Sequence, residues 1–260
     1  FSFEYSATFG QAVKASGNTT LEQTYAKCIL FDYSYKYFYA DGYGKDYRIL
    51  NLVDDSKEDD RQQYLTACLL TFYQQLKLYC DKYNEFRPFL IERPLWVFVG
   101  SSVNAVPSKN GTKVPDVVDI LLFLAKFVDN RENSVETIGK LLKGETNLLD
   151  QKGRDIFAGV FPYLNALGLT PEQIFDDILC VLFNAHSPAK LHVEELKGTD
   201  GEIALRLGGN EPFGVINVGD ASALCSALRK LCKGQDGLVV AEKAFSGSLF
   251  HSLNDESSKV

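Results

Sequence analysis

No methionine occurs anywhere in this 260-residue chain, and the chain does not begin with one. A chain of this length ordinarily carries several. Either the composition is a matter of chance, or methionines have been dropped from the written sequence of a fragment; we take the second reading. Histidine is scarce as well. His186, His192 and His251 stand apart from one another, with no partner at a metal or catalytic spacing. The six cysteines, at 28, 68, 80, 180, 225 and 232, form no Cys-x-x-Cys pair. Cys68, Cys180 and Cys225 fall in apolar helical patterns and read as small core residues of a reduced, cytoplasmic protein. No apolar run reaches the ~18 residues of a membrane span. The longest, 117–128, is interrupted by Asp119 and Lys126. The first residues lack the basic start and small-residue cleavage site of a secretory leader. Positive charge is not in excess: the net charge is −7, which argues against a self-sufficient nucleic-acid binder, though not against a part of one.

A phosphate-binding Gly-x-x-x-x-Gly-Lys-Ser/Thr loop is also missing. Gly42-Tyr43-Gly44-Lys45 lacks that frame and opens no helical pattern, so it reads as a linker. Gly111-Thr112-Lys113 fails the same frame. Asp176 and Asp177 are adjacent on a helical pattern and point in different directions, a poor geometry for shared acid–base work. Ser246 and Ser248 flank Gly247 without a nucleophile elbow. No hydrolase triad can be assembled.

The remaining pattern is that of a folded α/β protein. Hydrophobic residues make up 45% and charged residues 23%, as in ordinary globular chains. Residues 1–5 alternate aromatic with polar and read as the end of a strand. Residues 21–52 are rich in Tyr and Phe around a glycine-broken centre. Ser56 with Asp59 resembles a capping box. It opens a long helix whose apolar face is Leu65, Cys68, Leu69, Phe72, Leu76, Tyr79 and Tyr83, closed by Pro88. Leu95–Val99 is apolar throughout and predicts a strand covered on both faces. A helix over Asp116–Val128 follows, and residues 129–169 read as an insertion of short helices. Thr170, Pro171 and Gln173 are suited to N-cap, N1 and N3 of a helix running to about Asn184. Leu191–Leu196 and Glu202–Leu207 predict a hairpin. Gly214–Val218 predicts a strand, Asp220 the cap of a helix, and Leu238–Ala241 a last short strand. Strand alternating with helix after residue 94 predicts a mostly parallel sheet.

Two short motifs are candidate sites. Ser6-Ala7-Thr8 follows strand-like residues, and its small hydroxyl groups are suited to hydrogen bonds with neighbouring loops; it also fits a plain turn after a strand. Gly100-Ser101-Ser102 closes the predicted buried strand, at the sheet edge where open α/β sheets bind ligands. Its backbone N–H groups and hydroxyls suit phosphate oxygens, and an ordinary strand-to-loop turn fits as well.

Longer strings carry a resemblance. Phe3–Ala12 (FEYSATFGQA), Asp32–Leu52 (DYSYKYFYADGYGKDYRILNL), Pro94–Val103 (PLWVFVGSSV), Asp116–Phe127 (DVVDILLFLAKF), Glu211–Ala221 (EPFGVINVGDA) and Phe245–Leu253 (FSGSLFHSL) are similar, in collinear order, to the helicase subunit of type III restriction enzymes. That subunit belongs with the DEAD/DEAH-box helicases of superfamily two. The resemblance implies two RecA-like lobes, each a three-layer α/β unit with a mostly parallel sheet, with ATP and Mg2+ between them and double-stranded DNA across them. It makes residues 1–52 the end of the first lobe and a crossing linker. Residues 53–260 become an incomplete second lobe with an insertion at about 129–212. Ser6, Ala7 and Thr8 become the motif coupling nucleotide state to DNA grip, and Gly100, Ser101 and Ser102 a contact to the DNA backbone. It further implies a methyltransferase partner subunit and a role in phage defence. The lysine loop and acidic metal-binding motif are expected upstream and the arginine motif downstream, so this chain alone is expected to lack ATPase activity. The alternative is a non-catalytic α/β interaction module that docks a partner through the insertion.

Overall fold

The structure, a computed structural model, describes residues 9–44, 57–98, 116–196, 201–218, 221–232 and 237–241. The chain divides into two compact units, Phe1–Asn51 and Leu52–Val260. The first contains three short helices, α1 (Phe9–Ala15), α2 (Thr19–Ala26) and α3 (Tyr35–Ala40). Asn18 caps α2 by accepting from the Leu21 N–H. Val13 is buried, whereas the aromatic residues on and around α3 are largely exposed.

The second unit opens with α4 (Glu58–Asp81). Three carboxylates, Glu58, Asp59 and Asp60, occupy its first turn, where the helix dipole favours negative charge. Lys57 takes the N-cap position without a side-chain cap, and Ser56 lies outside the described residues. The expected apolar stripe is buried only in part: Leu65, Cys68 and Tyr79 are half-buried, and Tyr83 is exposed and lies beyond the end of α4 at Asp81. Leu69, Phe72 and Leu76 are buried, and so are Ala67, Leu70, Tyr73 and Gln74 on a second side. The reason is position: α4 touches α6 (Asp116–Asp129), α7 (Arg131–Lys143), α8 (Pro162–Leu167) and α9 (Pro171–Val181). After α4 come α5 (Tyr83–Phe86) and a 3-10 turn, Arg87–Phe89, which holds Pro88.

Residues 91–98 have no regular secondary structure, so the expected strand does not form over 95–98; Val99 lies outside the described residues. Leu95 is 61% and Val97 65% exposed. Only Trp96 is anchored, stacked on Phe72 at 5.6 Å and tilted against Phe98 at 4.4 Å. An apolar run becomes a strand only where a neighbour pairs with it, and no described strand does so.

The capping box at α9 forms as read: Thr170 Oγ1 accepts from the Gln173 N–H and Gln173 Oε1 from the Thr170 N–H. The helix stops at Val181, and Asn184 adopts a left-handed conformation (φ 53°). Its Nδ2 donates to the Pro212 carbonyl at 2.9 Å. Gly144 ends α7 at φ 69°, and a Cβ there would meet Ala158 Cα at 2.9 Å.

The sheet contains β1 (Leu191–Glu195), β2 (Glu202–Leu207), β3 (Gly214–Asn217) and β4 (Leu238–Ala241), in the order β3-β2-β1-β4. β1–β2 and β2–β3 pair antiparallel, and only β1–β4 is parallel. The mostly parallel sheet expected from the strand–helix alternation is thus replaced, among the described residues, by a mostly antiparallel one. The connections 196–201 and 208–213 are too short for a crossover, which forces antiparallel neighbours. The one long connection, through α10 (Ala221–Cys232), returns β4 parallel to β1. Leu191, Val193, Ile203, Leu205 and Leu207 are fully buried on one sheet face. Both α6 and α10 contact β1. Phe127 packs against Phe175 at 5.4 Å and Phe183 at 6.4 Å, and Phe183 meets Phe213 at 4.8 Å, joining helices and the sheet edge in one core.

Candidate functional site

Ser6, Ala7, Thr8, Gly100, Ser101 and Ser102 all lie outside the described residues. So do Lys45, Gly111, Thr112, Lys113, Ser246, Ser248 and His251. What the described residues bring together is a cleft of about 360 Å³ where the start of α4, the end of α6 and the start of α7 meet. Glu58, Asp59, Gln62, Lys126, Asp129 and Asn133 are among its lining residues.

Glu58 organises this cleft. Its carboxylate accepts from Gln62 Nε2 at 3.0 Å and Lys126 Nζ at 3.0 Å, and pairs with Arg61. These bonds, Gln62 first and then Lys126, hold its pKa down at about 2. Arg61 also reaches Asp119 at 3.8 Å. Burial pushes the Asp119 carboxyl up, against the pull of Arg61. The uncharged groups pair locally. Thr66 Oγ1 donates to the Gln62 carbonyl at 2.8 Å, Ser134 Oγ to the Phe127 carbonyl at 2.7 Å, and the Asn133 N–H to Asn130 Oδ1 at 3.2 Å. Through Glu58 and Lys126 the cleft ties the start of α4 to the end of α6.

Two further clusters carry charge. Tyr73, fully buried, donates its hydroxyl to Asp177 at 2.5 Å, and Lys77 sits 3.5 Å from both Asp177 and Asp81. Burial, with Asp177 second, pushes the Tyr73 phenol far up. Asp176 turns away to Arg131 at 3.2 Å, so the two adjacent aspartates do diverge. On the sheet, Glu194 is only 4% exposed and accepts from Arg206 Nε at 2.8 Å and Nη2 at 2.5 Å. Arg206 also donates to the Gly208 carbonyl. His192, cross-strand from Arg206, lies 3.8 Å from Glu194. Burial, then Arg206, lowers its pKa.

Cys180 is exposed, not a core residue, with its Sγ 3.4 Å from His186 Nδ1. Sequence spacing did not reveal that contact, which arises because the chain turns back at the end of α9. Cys68 is half-buried and Cys225 buried, and burial raises both thiols. Among the described residues no group of three or more His, Cys, Asp or Glu is placed to hold a metal ion. No described helix is long and apolar enough to cross a membrane.

No protein-family model, no curated protein and no solved structure matches the chain.

Proposed function

We propose that this chain is an internal segment of an ATP-dependent DNA helicase or translocase, similar to the restriction subunit of a type III restriction–modification system. The single observation that carries the reading is the collinear set of six strings from Phe3 to Leu253. In this reading residues 53–260 belong to a RecA-like second lobe. The β1–β2 hairpin falls inside the insertion at about 129–212, and β3, which also pairs antiparallel with β2, lies just beyond it. The β3–α10–β4 step, strand to helix to a strand of the same direction, is the kind of unit from which α/β lobes are built.

The chain's own residues do not fit ATP and Mg2+. The phosphate-binding loop is missing from the sequence, and the described carboxylates are engaged in ion pairs or scattered. In the intact protein, ATP hydrolysis would be phosphoryl transfer to water at groups outside this segment. Ser6, Ala7 and Thr8 then serve as the coupling motif, and Gly100, Ser101 and Ser102 as DNA-backbone contacts. The partners are double-stranded DNA and a methyltransferase subunit.

A second reading, a non-catalytic interaction module, draws on the net charge of −7 and on the exposed Leu95 and Val97. Binding of the intact protein to duplex DNA across a salt series separates the two. A motor gripping the backbone loses affinity steeply with salt, whereas undetectable DNA binding at low salt favours the module.

A further inference from the structure

We draw no further inference here: the strongest candidate, the exposed tyrosine- and phenylalanine-rich surface patch on and around α3, carries nothing because no feature of the structure shows what covers it.

Discussion

Gln74 sits buried on α4 with both ends of its amide in use. Nε2 donates to the Val160 carbonyl at 3.2 Å, and Oε1 accepts from the N–H groups of Tyr163 and Leu164 at 3.1 and 3.4 Å. One side chain thereby serves the first turn of α8. Gln74→Leu keeps the bulk and strands those backbone groups, so urea unfolding should show a loss of about 1–3 kcal/mol. A loss within error would mean that α8 finds other partners. Glu194 presents the charged version of the same problem. Glu194→Ala leaves Arg206 facing a buried space without its carboxylate and should cost about 3–5 kcal/mol. The exposed pair Lys140–Glu136 is the control, because solvent screens it and Lys140→Ala should leave the unfolding midpoint nearly unchanged. Neither cluster shows in the sequence. Glu58 and Lys126 stand far apart in the chain, and only the packing of α4 on α6 brings them to 3.0 Å.

Elements were legible where their signals are local. Thr170, Pro171 and Gln173 set the start of α9 through contacts within four residues, and the alternation around 191–207 set the hairpin. Thr170→Ala should therefore cost about 1 kcal/mol and Thr170→Gly only a few tenths, read from paired denaturation curves. Equal losses would point away from the side-chain cap. The segment 95–98 forms no strand because a strand needs a partner, and partners are not written in the run itself. The sheet's pairing direction follows from the short connections 196–201 and 208–213, which strand–helix alternation does not encode. The hairpin also carries a pH dependence. The folded His192 has a lowered pKa, so the unfolded chain takes up that proton more readily. Stability is then full above the ordinary histidine value of ~6.5. It falls as pH drops from there towards the depressed folded value, and levels off below it. In thermal melts between pH 8 and 5, His192→Gln should remove part of the decline; identical profiles would show that His192 does not titrate on unfolding.

At the scale of the whole molecule, the described core of the second unit accounts for a mixed α/β fold, and among the described residues no group of three or more His, Cys, Asp or Glu is placed to hold a metal ion. The residues that the resemblance singles out, 6–8 and 100–102, fall outside the described segments, and the charged clusters that are described brace helices and strands. The functional proposal rests only on long strings, because the short motifs at 6–8 and 100–102 consist of common small residues with no charge or spacing signature of their own. The most direct measurement is steady-state ATP hydrolysis, with and without duplex DNA, by the intact protein and by this 260-residue chain in parallel. The motor reading predicts DNA-stimulated turnover in the intact protein and none in the chain. DNA-stimulated turnover by the chain alone, or no turnover by the intact protein with DNA and Mg2+, would contradict it.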